Sequence, residues 1–325
     1  MASRATRSAS RKARLTGAVA TGPLGALSHD ELGVIFDGLA DPLQPVIAVA
    51  LSSACLGLRT PLRAALEVLQ ERHALAVALC LKTSRRRETA TYLPKSCVEL
   101  RETNTLIWIT KKLHTGLNYN DMATLGMILC TNRLPKLIRL YLTFSGDTAL
   151  QLMCGDLCRG AAPSLRTLDL DNNETGLAGT VALANALCRG AMPVLECLSL
   201  SNNRFGNEGV AALAPTLRKL PSLRELDLCG SGIGDEGVAS LVDNLGKDDF
   251  KELTRINLEA NNITAAGFLK LAATIDAGGL PKLVALECMF NEADPETDLQ
   301  SGSALQSAIE AVWDAVRAAV AKRAQ

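Results

Sequence analysis

Residues 195–220 read LECLSLSNNRFGNEGVAALAPTLRKL. The stretch opens with a block of the form LxxLxLxxN, continues to a glycine six residues after the asparagine, and then runs into Leu and Ala before Pro221. Leu198 and Leu200 alternate with polar residues at period two, so both leave a short strand on the same side. The run after Gly209 places Leu and Ala at helical spacing. One short strand and one short helix cannot bury their apolar faces alone, so such a unit needs copies of itself on either side.

The copies are present. LIRLYLTFS starts at Leu137, LRTLDLDNN at Leu165, LRELDLCGS at Leu223, LTRINLEAN at Leu253 and LVALECMFN at Leu283. Asn173, Asn203, Asn261 and Asn291 hold the ninth place, and Ser145 and Ser231 stand there in the other two units. An asparagine there satisfies backbone groups where the chain turns off the strand, so its recurrence marks a structural role. Gly179, Gly209, Gly237 and Gly267 recur at one offset and lead the helical segments, among them VALANALCRG and VAALAPTLRKL. Pro135, Pro163, Pro193, Pro221 and Pro281 come at the helix exit, where a residue without an N–H cannot prolong the helix.

Leu, Asn, Gly and Pro at these fixed offsets resemble the ribonuclease-inhibitor class of leucine-rich repeats over residues 134–292. The resemblance implies an α/β solenoid. Strands stack ~4.8 Å apart and helices ~8–10 Å apart, so the array must curve into a horseshoe with parallel strands on the concave side and helices on the convex side. LIWIT from Leu106 and NDMATLGMIL, with Asn120 as N-cap, read as an atypical first repeat, which gives an array over residues 105–292.

An array exposes its core at each end and needs caps. Leu305, Ile309, Val312, Trp313, Val316 and Val320 lie on one helical stripe, so residues 293–325 are expected as a polar connector and a capping helix. Residues 27–82 read as a helical block. Ser28 and Glu31 have capping-box spacing, Leu32, Ile35, Phe36 and Leu39 follow a helical stripe, and a second helix from Val46 to Leu58 and a third from Thr60-Pro61 succeed it. The first helix, the Asp41-Pro42 break and the second helix resemble an F-box, which implies docking on the adaptor subunit of a cullin-type ubiquitin ligase. The aromatic residue usual near the end of that motif is replaced by Cys55, Leu58 and Arg59. A helical cap for the solenoid is the alternative. Residues 83–104 read as a connector, with Arg85, Arg86 and Arg87 as a solvated run.

The chain has 325 residues, with 34 basic and 34 acidic groups, 48% apolar and only 3% aromatic residues. Five of the bases and no acid fall in the first 23 residues, so the remainder is net acidic, which gives no sign of nucleic-acid binding. Residues 1–26 read as a disordered basic tail, with an organellar transit peptide or a nuclear-import cluster as alternatives to a cytoplasmic location. No run is apolar enough to span a membrane. Ten cysteines without a CxxC pair read as reduced, mostly buried thiols rather than a disulfide framework.

His29, His73 and His114 are scattered, and no metal-ligand, phosphate-loop or dinucleotide pattern occurs, so neither catalysis nor a cofactor is expected. The expected function is protein–protein interaction by a chain that is monomeric alone. In LxxLxLx the residues flanking the buried leucines face outward. Arg139, Tyr141, Asp169, Asp171, Ser199, Glu225, Asp227, Arg255, Asn257, Glu259 and Glu287 are thus the candidate binding residues. Six of them are acids against two arginines, which favours a protein partner with a basic patch. An F-box-like substrate receptor stays open, as does a regulator of a Ran-type GTPase, whose relatives use the same repeat class.

Overall fold

The structure is a computed structural model that describes residues 29–53, 62–84, 96–108, 117–144, 146–291 and 299–323. Ser28, the Arg85–Arg87 run, His114, Ser145 and most of the polar connector before the last helix lie outside the described residues. The chain divides into two compact units, Met1–Lys82 with Lys95–Leu100, and Thr83–Pro94 with Arg101–Gln325.

In the first unit, α1 (His29–Leu39), α2 (Val46–Ser53) and α3 (Arg63–Ser84) are helical, as their apolar spacing predicts. Leu32, Phe36, Ala48, Leu62 and Leu69 form its core. The break between α1 and α2 is held locally, with Leu43 N–H donating to the Asp41 carboxylate at 2.9 Å. The ring Nδ1 of His73 on α3 lies 2.6 Å from the Pro42 carbonyl oxygen. A short helix, α4 (Cys97–Glu102), falls inside the segment expected as a connector.

The second unit is the solenoid. Its strands are β1 (Thr105–Trp108), β2 (Arg139–Leu142), β3 (Thr167–Asp169), β4 (Cys197–Ser199), β5 (Glu225–Asp227), β6 (Arg255–Asn257) and β7 (Ala285–Glu287). They form one parallel sheet in sequence order. Between them run α5 (Tyr119–Cys130), α6 (Gly146–Gly155), α7 (Leu177–Cys188), α8 (Gly206–Leu217), α9 (Asp235–Val242) and α10 (Ala265–Asp276), and α11 (Leu299–Arg323) follows β7. The register stacks like residues. Leu106, Leu140, Leu168, Leu198, Leu226, Ile256 and Leu286 pair across the sheet in a single buried row. Leu142, Leu170, Leu200, Leu228, Leu258 and Cys288, two residues on, form a second buried row. The C-terminal helix buries Ala308, Ile309, Val312, Ala315 and Val316 and packs along α10, closing the array as its apolar stripe predicts. Val320, also assigned to that stripe, is 38% exposed.

Two local readings need correction. The N-cap of α5 is Asn118, not Asn120: Asn118 accepts from Asp121 N–H and Asp121 accepts from Asn118 N–H, a capping box two residues earlier than expected. The repeated glycines do not start their helices but sit at the third or fourth position, where packing is tight. A Cβ on Gly237 would lie 2.6 Å from Ile233 Cγ2, and one on Gly209 2.4 Å from Phe205 Cβ. The core residue of the incoming loop passes directly under the first turn. Gly126 in α5 is tighter in consequence, because a Cβ there would meet the backbone carbonyl oxygen of Met153 in α6 at 2.4 Å. A backbone atom yields only if two helices separate. Gly126→Ala is therefore expected to destabilise by about 1–3 kcal/mol, despite the better helix propensity of alanine. Urea unfolding of the two proteins checks this, and a variant as stable as the parent would show that the helices are free to part.

Candidate functional site

Beside the buried row, the pairing lines up two rows of side chains on the open side of the sheet. The first runs Thr105, Arg139, Thr167, Cys197, Glu225, Arg255, Ala285, and the second Ile107, Tyr141, Asp169, Ser199, Asp227, Asn257, Glu287. Asp171, Ser201, Cys229, Glu259 and Met289 form a third tier, two residues past each strand. The candidate residues Arg139, Tyr141, Asp169, Glu225, Asp227, Arg255, Asn257 and Glu287 thus occupy adjoining rungs, with Asp171 and Glu259 above them.

Local hydrogen bonds sort these residues. Asp169, Asp227 and Asn257 each turn one side-chain oxygen back to the backbone N–H two residues on, at Asp171 (3.1 Å), Cys229 (3.0 Å) and Glu259 (2.9 Å). The second oxygen of each aspartate has no such tie. Ser199, also a candidate, is withdrawn from the open face. It is 8% exposed, and its hydroxyl donates to Asp171 Oδ1 at 2.5 Å. The same oxygen accepts from Ser201 N–H at 2.9 Å. Serine is too short to reach its own turn, so Asp171 from the preceding repeat supplies the acceptor. Arg255 is not a free counter-charge either, since its guanidinium pairs with the Glu287 carboxylate on the adjacent strand.

What remains is acidic. Among the described residues no ion pair neutralises Asp169, Asp171, Glu225, Asp227 or Glu259, and Arg139 is the nearby cation without a carboxylate partner on this face. Burial and neighbouring charge both act on these carboxyls. Burial, with the Asp169 and Asp227 charges adding to it, raises the Asp171 carboxyl to about 6 despite its bonds to Ser199 and Ser201. Burial likewise raises Asp169, with a contribution from Asp227. The intervening Cys197 thiol is pushed up to about 12 by burial and by Glu225 and its neighbours, which keeps it protonated.

The ninth-place residues lie inside the array, not on its surface. Asn203 is 3% exposed. Its amide donates to the carbonyls of Leu170 (3.0 Å), Leu200 (2.8 Å) and Ser201 (3.2 Å). Its oxygen accepts from Thr175 N–H at 2.9 Å and Asn173 N–H at 3.3 Å. Asn261 repeats the pattern with Leu228, Leu258, Ser231 and Ile233. Asn173 reaches Leu142 and Phe144, and Asn291 reaches Leu258, Cys288 and Ile263. Ser231 keeps a reduced version, donating to the Leu200 carbonyl at 3.1 Å. A second ladder escaped the sequence reading. Asp147, Asn207 and Asp235, in the first turns of α6, α8 and α9, accept from Gly176 N–H, Gly234 N–H and Thr264 N–H of the next unit. A polar residue at the start of a helix has so many ordinary roles that its recurrence in only some units gave no distinct signal.

Among the described residues no group of three or more His, Cys, Asp or Glu side chains is placed to hold a metal ion, and no helix is long and apolar enough to cross a membrane. Two segments, residues 191–214 and 219–242, match the family model described as Leucine Rich repeat. The array is thus a leucine-rich-repeat solenoid of the ribonuclease-inhibitor type, a class that generally serves protein interaction. No curated protein matches the sequence. Among solved structures, the crystal structure of the TLR13–ssRNA13 complex is similar at 18% identity, over 60% of this chain and 34% of that chain, with a TM-score of 0.28. The likeness therefore spans about a third of that chain's length.

Proposed function

We propose that this protein is a non-enzymatic interaction module that holds a protein partner bearing a basic patch against the concave sheet of its array. The observation that carries the reading is the set of acids on adjoining rungs, Asp169, Glu225 and Asp227 with Asp171 and Glu259 above, which have no ion-pair partner among the described residues. Like charges kept close at a cost in self-repulsion favour an incoming cation and accelerate its approach. Ser199 and Ser201 add nothing directly but keep the centre of the face low, so that side chains from a partner reach the acids on either side.

The test uses the amide already present at Asn257, which makes the same turn bond as its aspartate counterparts. Asp169→Asn with Asp227→Asn removes two charges and keeps both backbone acceptors, so the melting temperature is expected to stay within about 2 °C. Proteins captured from the native cell by the parent, and lost with the double variant, identify the partner. Association with that partner, once purified, is expected to slow by about tenfold with a shallower dependence on salt. Acidity gives a second arm. The folded-state Asp171 carboxyl lies above its unfolded value, so its stabilising contribution is complete below about pH 4 and is lost as pH rises through about 6. The partner feels the opposite trend, because the anion it needs is neutralised as pH falls through about 6. Binding is therefore expected to weaken between pH 7 and 5 while the array itself gains stability. Capture, rate and salt slope all unchanged in the double variant would remove the concave acids from the function.

One observation favours a second reading. On α1 and α2, Val34, Val46 and Ile47 are 74%, 68% and 57% exposed, although the same helices bury Phe36 and Ala48. Such a surface supports docking of the first unit on a ubiquitin-ligase adaptor, as the F-box resemblance implies. Co-purification of a cullin and its adaptor with the parent, abolished by Val46→Glu with Ile47→Glu, would establish it. Capture unaffected by those changes would leave the helices as packing for the chain itself.

A further inference from the structure

At or just past the ends of α5, α6 and α7, cysteines of three successive repeats fall in one column. Leu129-Cys130, Leu157-Cys158 and Leu187-Cys188 occupy the same repeat position, and Arg218 stands there in the next unit. Cys130 and Cys158 meet across the column, with their Sγ atoms 2.9 Å apart. Cys158 is exposed and Cys130 half-buried, so the pair is open to small molecules from the Cys158 side. The other thiols differ in kind. Cys80 and Cys97 lie 3.6 Å apart but are both buried, and Cys154 and Cys288 are buried.

We propose that Cys130 and Cys158 form a redox-active dithiol, oxidised to a disulfide across two neighbouring repeats by a low-molecular-weight disulfide of the glutathione class. A bonded pair has its sulfurs about 2.0 Å apart, so closure needs a shift of about 1 Å, within the reach of two χ1 rotations at loop ends. The order of events follows exposure. The Cys158 thiolate attacks one sulfur of the oxidised reagent, forming a mixed disulfide and expelling the first thiolate. The Cys130 thiol then gives up its proton and attacks the Cys158 sulfur. The Cys158–reagent bond breaks, the intramolecular bond forms, and the second thiolate leaves and takes up the proton. Two protein thiols are oxidised and one reagent disulfide is reduced to two thiols. Burial raises the Cys130 thiol above its ordinary range, so little of it is thiolate and the second step relies on proximity to the Cys158 sulfur. The bond ties the end of α5 to the loop after α6 and so restrains those two repeats relative to each other. Cys130 and Cys158 lie at the end of α5 and after α6, whereas Asp169 and Asp227 lie on β3 and β5.

The experiment incubates the purified full chain with oxidised and reduced glutathione in varied ratio, quenches with acid and maps peptides without reduction. The expected result is a peptide pair joined through Cys130 and Cys158, lighter by two hydrogens than its reduced form, with Cys154 and Cys288 still free thiols. Cys130→Ser is expected to accumulate glutathione on Cys158 instead, because the attack that expels it is lost. Cys158→Ser is expected to leave Cys130 largely unmodified. Serine is close in size at a half-exposed and an exposed site, so both variants fold as the parent does, which their circular dichroism verifies. Stable glutathionylation of Cys158 in the parent, a bridge from Cys158 to Cys188, or no oxidation under any ratio would each overturn the proposal.

Discussion

Asn203→Ala is expected to destabilise the array by about 3 kcal/mol or more. The side chain is buried, and removing it strands at least the Thr175 N–H and the Leu170 carbonyl in a place water does not reach. Each such orphan costs about 1–3 kcal/mol, and the cavity left by the amide adds to that. The structure supplies its own control. Ser231 holds the equivalent place in the next unit and keeps the bond to the preceding Leu200 carbonyl. Asn203→Ser is therefore expected to lose about half as much as Asn203→Ala. Urea unfolding followed by circular dichroism measures both. Equal losses, or a loss in the alanine variant below about 1 kcal/mol, would mean that the ladder's bonds are replaced by water or relaxed backbone.

Removal of residues 303–325 is the second large effect. Loss of the helix strips α10, along which it packs, of the cover given by Ile309, Val312 and Val316, which the helix buries with two alanines. Three large aliphatic side chains at about 1.5–3 kcal/mol each give a loss on the order of 5 kcal/mol. The expected outcome is fraying of the final repeat and aggregation. Amide exchange resolves the two ends: protection over 265–291 should fall by several orders of magnitude while that over 165–200 holds, since repeats contact mainly their neighbours. A truncated chain that stays soluble with unchanged protection at α10 would show that the last repeat is sealed by something else.

The large architecture could be read from the sequence because it rests on local periodicity. The LxL pairs dictate which side of each strand is buried, and the 28- or 30-residue spacing dictates that the strands pair in parallel. What could not be read arises where one repeat touches the next. The burial of Ser199 depends on Asp171 leaning across from the preceding unit, and nothing in LSLSNN alone announces it. Arg255 was counted as a free base because its partner, Glu287, is 32 residues away and becomes a neighbour only through the sheet register. The position of Gly126 against the Met153 carbonyl is a helix-to-helix distance, invisible to any pattern along the chain. The Cys130–Cys158 contact was legible in principle. Sequence spacing sets them far apart, but alignment of the repeats by column brings both to the same place.

The asparagine ladder also makes the joints between units chemically alike. Each amide closes the turn of the unit before it, so one joint is chemically the same as another. Asn173, Asn203, Asn261 and Asn291 present interchangeable couplings, and Ser231 shows that a weakened one is tolerated. A genetic crossover between two such points adds or deletes a whole unit and still leaves every donor facing an acceptor. Most exposed rungs travel with their unit, but Asp171 bonds to Ser199 and Ser201 of the next and Arg255 pairs with Glu287, so those couplings are particular to their joints.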